Sequence, residues 1–135
     1  MITAIDSNVL IDIVGGDPDF GDASRMAVDL AAREGRLVVS PEVVAEFTTG
    51  CGSADVAFAV LDVLKISFVD TGLPAAGRAG EARGQRRARS RITPDYLIAA
   101  HAATHADRLL TRDSDFSELA IDGLKVVTPS AMIAA

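Results

Sequence analysis

The pattern of apolar and polar positions changes period repeatedly along the chain, and each change predicts an element. Short apolar runs alternate with stretches in which apolar residues recur at helical spacing. The runs predicted as strands are Met1–Ile5, Leu37–Val39, Ile66–Val69, Arg108–Thr111 and Leu124–Val127. This alternation is typical of an α/β domain with a mainly parallel central sheet and helices on both faces. No repeat or linker interrupts it, so residues 1–135 are expected to form one domain.

Helical spacing and capping signals predict the elements between the strands. Ser40-Pro41 and Thr93-Pro94 each combine an N-cap residue with proline at the first helical position. The predicted helices are Val9–Val14, Ala23–Gly35, Pro41–Thr48, Ser53–Leu64, Pro74–Arg89 and Asp95–His105, with a turn at Pro129–Ile133. Three glycines weaken the prediction for Pro74–Arg89.

Composition narrows the class of protein. Aromatic residues make up 4% of the chain and Trp is absent, so the core is expected to be aliphatic. No apolar run approaches the roughly 20 residues of a membrane span, and no secretory signal is recognisable. The single Cys51 cannot form an internal disulfide, which suits a reducing compartment, so a cytoplasmic location is expected. The net charge of −6 argues against a generally basic nucleic-acid binder.

Asp6 directly follows the first predicted strand, and Ser7 and Asn8 lead into the next helix. In open parallel sheets the working groups lie just beyond the carboxyl ends of the strands. An Asp at such a position is more often a simple helix cap or turn residue. A functional role for Asp6 therefore depends on other residues that meet it there.

Three further acids are candidate partners of Asp6. Glu46 lies in a largely apolar helix, Asp95 lies in the first turn of another, and Asp113 follows the fourth predicted strand, with Asp115 as an alternative. Carboxylates brought together repel one another unless a cation neutralises them. Oxygen ligands without a Cys or His cluster favour Mg²⁺ or Mn²⁺, which can activate water at a phosphodiester.

Three polar residues beside these acids, Ser7, Asn8 and Thr111, are candidates to orient the metal ligands by hydrogen bonds. Asp12 is expected to be solvated, and Asp17, Asp19 and Asp22 are expected in loops and caps. His101 and His105 have the spacing of half a zinc motif. No third soft ligand accompanies them, so packing or a surface position is expected for both.

Four motifs together resemble the PIN-domain ribonucleases of the VapC toxin type. They are Ile5–Leu10, Ser40–Glu46, Pro94–Ala102 and Leu109–Asp113, in the order and spacing of that family. The resemblance implies that Asp6, Glu46, Asp95 and Asp113 are the catalytic, metal-binding acids, with Asp115 able to take the last role. It also implies RNA cleavage with Mg²⁺ or Mn²⁺, inhibition by a small antitoxin protein, and a homodimer.

A basic segment, Arg78–Arg91, contrasts with the acidic remainder of the chain. It carries a local charge of +5, which leaves −11 on the rest. Its arginines are Arg78, Arg83, Arg86, Arg87, Arg89 and Arg91. A run of charge is usually a solvated helix face, but the planar guanidinium group pairs well with phosphate. The segment is predicted to contact either RNA or an acidic part of an antitoxin.

Two other classes of protein share some of these sequence features. A signalling receiver domain would explain Asp70 after the third strand. However, it needs an acidic pair after the first strand, where Asp6 is followed by Ser7, and a Lys after the last strand, whereas Lys125 lies inside it. A PIN-like binding module without catalytic activity is disfavoured because all four acids are present.

Overall fold

A five-stranded parallel sheet forms the centre of the fold. The computed structural model describes residues 1–85 and 93–135. Its strands are β1 (Thr3–Ile5), β2 (Leu37–Val39), β3 (Ile66–Phe68), β4 (Arg108–Leu110) and β5 (Val126–Val127). They lie in the order β3-β2-β1-β4-β5, and every pair is parallel. The α/β class and the parallel sheet predicted from the sequence are confirmed.

The strand order excludes the receiver alternative. A receiver domain has the flavodoxin-like order, in which β1 lies between β2 and β3. Here β1 lies between β2 and β4, with Ala4 in register with Val38 on one side and Leu109 on the other. The different order means that the chain after β3 must cross over β1 and β2 before it forms β4.

Helices occupy the connections between strands, and most of their ends follow the predicted signals. They are α1 (Ser7–Gly15), α2 (Gly21–Glu34), α3 (Pro41–Cys51), α4 (Ala54–Val63), α5 (Gly72–Gln85), α6 (Thr93–His105) and α7 (Pro129–Ala134). A short 3₁₀ helix, Ser114–Leu119, was not predicted. Ser40 Oγ accepts a hydrogen bond from the Val43 N–H, which confirms the predicted cap of α3. The predicted helix at Pro74–Arg89 extends outside the described residues at its carboxyl end.

The direction of the crossovers distributes the helices over both faces of the sheet. The chain moves from β1 to β2 and β3 in one direction, then reverses to reach β4 and β5. Because parallel crossovers are right-handed, the connections before and after this reversal lie on opposite faces. Within each set the helices pack together, since α1 contacts α2 and α3, and α5 contacts α6.

The core is aliphatic, as the composition predicts. Strand residues such as Ile5, Val38 and Leu109 are almost completely buried. Each fully buried side chain of this size stabilises the fold by about 1.5–3 kcal/mol. Phe47 and Tyr96 are the largest fully buried side chains. The three residues of β1 and of β2 are all buried, as expected for central strands of a parallel sheet, whereas Ser67 and Phe68 of the edge strand β3 are exposed.

Helices α3 and α4 form a bent pair at one side of the core. Gly52 ends α3 in the left-handed conformation with φ of 79°, which a side chain would disfavour, and Ser53 caps α4. Within residues 1–85 and 93–135, no single helix is long and apolar enough to cross a membrane. These two helices satisfy that criterion only when taken together, across a bend of 115°.

Candidate active site

The candidate site lies at the carboxyl ends of β1 and β4, where the strand order reverses. Connections leave these two neighbouring strands toward opposite faces, which is the position where open parallel sheets bind their ligands. Asp6 directly follows β1 and Thr111 directly follows β4. Pairing of Ile5 with Leu110 brings these two polar residues side by side.

Asp6 is a buried carboxylate held by two hydrogen bonds. It is 4% exposed. Its Oδ1 accepts from the Ser7 N–H at 2.7 Å and its Oδ2 accepts from Thr111 Oγ1 at 2.7 Å. Burial raises the pKa of Asp6 to about 6, against the lowering effect of these hydrogen bonds. The negative charges of Glu46 and Asp95 raise the pKa further.

Two further acids near the Asp6 carboxylate, Glu46 and Asp95, lie on two different helices. Glu46 is exposed on α3, and its Oε1 accepts a hydrogen bond from Ser7 Oγ at 2.7 Å. Asp95 lies in the first turn of α6 and is partly buried. Both are close enough for their charges to act on Asp6. The structure therefore places two of the other predicted acids within electrostatic range of Asp6.

The fourth predicted acid, Asp113, lies just beyond β4. Its N–H donates to Thr111 Oγ1 at 3.0 Å, and its carboxylate accepts from the Asp115 N–H at 3.1 Å, which starts the 3₁₀ helix. Asp115 lies in the first turn of that helix and is exposed. Asp113 is thus connected to the site through Thr111, and the choice between these two acids remains a prediction.

The three polar residues predicted to orient the acids form one hydrogen-bonded group. Thr111 is fully buried, and its hydroxyl also accepts from Asn8 Nδ2 at 3.2 Å. Asn8 Oδ1 in turn accepts from the Arg112 N–H at 3.2 Å. Together with the contact of Ser7 with Glu46, these bonds connect α1, α3 and the segment after β4. Each of the three residues directly contacts one or more residues of the site.

Asp12 was predicted to be solvated, and this expectation is wrong. Its side chain is 3% exposed and accepts from Arg112, with Nε at 2.6 Å and Nη2 at 3.1 Å. Ser24 Oγ donates to the same carboxylate at 3.1 Å. Asp12 follows the buried Val9 by three residues, so helical spacing already placed it on the inward face. The ion pair ties α1 to the segment that carries Thr111 and Asp113.

The donor set is compatible with a hard divalent cation. Among the described residues, no three acidic, His or Cys side chains are close enough to enclose a metal ion. Mg²⁺, however, commonly takes only one or two carboxylates and keeps several waters. Asp6 offers a buried carboxylate whose charge is disfavoured by burial and by neighbouring acids, a situation that a cation would relieve. The residues present therefore fit Mg²⁺ or Mn²⁺.

The two histidines join α6 to the segment that follows β3, in agreement with the expected packing role. His101 Nε2 donates to the Val69 carbonyl and His105 Nε2 donates to the Thr71 carbonyl, each at 2.7 Å. Their rings lie 5.0 Å apart. His101 is buried, and burial lowers its pKa from the ordinary value of 6.5.

Only two arginines of the basic segment fall within the described residues. Arg78 donates to Thr104 Oγ1 at 2.9 Å and to the Asp122 carbonyl, so its guanidinium group connects α5 to other parts of the domain. The Nε of Arg83 is buried without a hydrogen-bond partner among the described residues. The other four, Arg86, Arg87, Arg89 and Arg91, lie outside the described residues.

Comparison with solved structures finds VapC-type folds that cover nearly the whole chain. A toxin–antitoxin complex from Klebsiella pneumoniae has a chain of 25% identity and TM-score 0.70, with 94% of this chain and 97% of that one covered. VapBC2 from Rickettsia felis, bound to a promoter DNA fragment, gives 23% identity and TM-score 0.74, with 95% and 98% covered. Mycobacterium tuberculosis VapC20, a sarcin–ricin loop cleaving toxin, gives 14% identity and TM-score 0.68, with 91% and 98% covered.

The sequence itself also matches a family model. Residues 3–122 match the model of the PIN domain, which includes β1, the acids Asp6, Glu46, Asp95 and Asp113, and the 3₁₀ helix. Among curated proteins, none is similar enough in sequence to count as a match. The matched range far exceeds half of the 135 residues. The chain therefore belongs to the PIN domain family, and its fold is that of the VapC-type proteins, as the four sequence motifs predict.

Proposed function

We propose that this protein is a metal-dependent endoribonuclease and the toxin of a toxin–antitoxin pair. The observation that carries the proposal is the buried carboxylate of Asp6, whose pKa is raised to about 6 beside Glu46 and Asp95. Such a group is costly to bury and is typical of a functional site. The similarity to VapC20, which is described as a sarcin–ricin loop cleaving toxin, supports the same proposal.

The residues of the site would hold Mg²⁺ or Mn²⁺ through Asp6, Glu46 and Asp95, with Asp113 or Asp115 as the fourth acid. When bound, such an ion activates water and stabilises negative charge on the phosphodiester. The protein's own groups keep the ligands in place. Thr111 and the Ser7 N–H fix the two oxygens of Asp6, and the Ser7 hydroxyl holds Glu46.

An antitoxin partner, a homodimer and a cytoplasmic location belong to the same proposal. The solved complexes to which the chain is similar contain VapB together with VapC. A cleft of about 320 Å³ between α1 and α4 has only apolar residues in its lining, among them Ile13, Val56 and Val63. Val63 is 77% exposed. A contiguous apolar surface of this kind favours a protein partner.

The decisive experiment is cleavage of RNA by the purified protein with Mn²⁺ or Mg²⁺ and with EDTA. We expect metal-dependent cleavage by the wild type and none by Asp6→Asn or Asp95→Asn. Asp29→Asn, a change on an exposed part of α2, is the matched control and should remain active. RNA binding without cleavage at any metal concentration would favour the inactive binding module instead.

A further inference from the structure

A cleft that shares the segment after β4 with the candidate site has none of the four candidate acids in its lining. It has a volume of about 360 Å³, within the range of sites for small ligands. Its walls come from the start of α2, the segment after β4 and the start of α7. The lining residues that matter here are Asp19, Phe20, Ala23, Arg112, Pro129 and Ser130.

The cleft is connected directly to the residues of the site. Arg112 lies between Thr111 and Asp113 in sequence, and its N–H donates to Asn8 Oδ1 at 3.2 Å. Asn8 in turn donates to the Thr111 hydroxyl, which binds Asp6. The guanidinium group of Arg112 pairs with Asp12, four residues beyond Asn8 on α1, so the cleft lies about one helical turn from the residues of the site.

The side chains of Arg112 and Phe20 lie against each other and form one wall of the cleft. The guanidinium carbon of Arg112 lies 4.2 Å from the centre of the Phe20 ring. The two hydrogen bonds to the buried Asp12 carboxylate hold the guanidinium in this position and balance its charge. Phe20 is 44% exposed although it is a large apolar side chain. The wall thus offers a partly exposed aromatic surface, on which the charge of Arg112 is balanced by that of Asp12.

We propose that the cleft at Phe20 and Arg112 binds a nucleobase of the RNA that adjoins the cleaved phosphodiester. Unpaired bases bind proteins by stacking on aromatic rings and on guanidinium planes. Because Asp12 balances the charge of Arg112 and Asp19 adds a carboxylate to the lining, the cleft suits a neutral base better than a phosphate group. Asp19 and Ser130 at the cleft supply hydrogen-bonding groups for the edge of the base. This inference rests on the proposed ribonuclease function.

The test compares RNA binding by variants that are built on Asp6→Asn, so that the RNA is not cut. Phe20→Leu removes the aromatic face but keeps an apolar side chain, and Phe20→Trp restores a stacking surface. Phe58→Leu is the matched control, because Phe58 is 55% exposed on α4. The probes are a fluorescein-labelled oligoadenylate and the same chain with abasic sites, measured by fluorescence anisotropy. Circular dichroism checks that each variant is folded.

We expect Phe20→Leu to weaken oligoadenylate binding by about fivefold or more, the loss that corresponds to one stacked base. Phe20→Trp should bind like the parent protein, and abasic RNA should bind equally to all of them. Equal oligoadenylate affinity of Phe20→Leu and Phe58→Leu would overturn the inference. If antitoxin binding were weakened in that case, the cleft would belong to the protein partner.

Failure of the base site and failure of the proposed function give different results. Cleavage of RNA by the wild type, with Phe20 variants unchanged in RNA affinity, would reject only the base site. If the wild type neither binds nor cleaves RNA with Mn²⁺, the ribonuclease proposal fails, and the base site fails with it.

Discussion

The hydroxyl of Thr111 donates a hydrogen bond of 2.7 Å to the carboxylate of Asp6, across 105 positions of sequence. Asp6 directly follows β1, and Thr111 directly follows β4. The hydrogen bonds that pair these two strands extend as far as a bond from the Asp6 N–H to the Leu110 carbonyl. The central acid of the site is therefore held by a neighbouring strand as well as by its own helix. We therefore expect substitutions of Thr111 to lower both the stability of the fold and the activity of the protein.

Replacing Thr111 by Val should reduce both the stability of the fold and the cleavage of RNA. The change leaves the buried carboxylate of Asp6 and partly buried groups of Asn8 and Asp113 without the hydroxyl that they share. We expect a loss of about 1–3 kcal/mol in the free energy of unfolding, measured with urea. Thr111→Ser keeps the hydroxyl and should retain most of both properties. A Val variant with wild-type stability and activity would contradict this role.

Asp6→Asn should change how stability depends on pH in the absence of metal. Because the pKa of Asp6 is raised from 3.8 to about 6, the folded protein binds more protons in this range than the unfolded chain. The wild type therefore loses stability as the pH rises through this window, by up to about 3 kcal/mol, and the neutral Asn does not. Urea unfolding in EDTA at about pH 4 and about pH 7.5 measures this, and parallel pH profiles of the two proteins would refute it.

The ion pair of Asp12 and Arg112 should respond unequally to loss of its two members. Arg112→Gln leaves a charged Asp12 at 3% exposure, whereas Asp12→Asn leaves a guanidinium whose side chain is 34% exposed and reaches water. We expect Arg112→Gln to cost about 2 kcal/mol or more in the free energy of unfolding, and Asp12→Asn to cost less. The double variant should lose less than the sum of the two. Equal costs in chemical denaturation would show that burial does not govern the pair.

His101 should make the protein less stable in mildly acidic solution. Its pKa is lowered below 6.5 chiefly by burial, so the unfolded chain binds the proton more readily than the folded protein. This contribution to stability is complete above pH 6.5 and is lost as the pH falls from 6.5 through the lower pKa of the folded state. His101→Asn should abolish this part of the pH dependence, in melting experiments between about pH 5 and 8. A wild type and variant with the same slope would refute the assignment.

The sequence also predicts a contact of the basic segment with RNA or antitoxin, for which Arg86, Arg87 and Arg89 are the densest part. Replacing all three by Gln should lower RNA affinity and reduce the slope of affinity against salt by about 0.7 for each lost phosphate contact. Titration of RNA at several salt concentrations measures the slope. An unchanged slope together with weaker antitoxin binding would identify the segment as a surface for the partner.

Much of the fold and of the site could be read from local patterns. Ser40 and Pro41 begin α3 where predicted because capping and the geometry of proline act within a few residues. The end of β1 at Asp6 was visible because a buried parallel strand is a continuous apolar run that a charge interrupts. Both features depend on neighbours in sequence, so no knowledge of the remaining chain was needed.

The sequence by itself determined which residue types stand at the strand ends and helix starts, and together with the family resemblance this predicts Asp6, Glu46, Asp95 and Asp113 as one group of acids. Only the tertiary structure decided the order of the strands, the partner of Asp12 and the stacking of Arg112 on Phe20. These relations join positions far apart in the chain. Local propensity contains no information about which distant segment will pack against a given residue. The burial of Asp12 depends on an arginine 100 residues away, because a buried carboxylate is stable only where a partner replaces water.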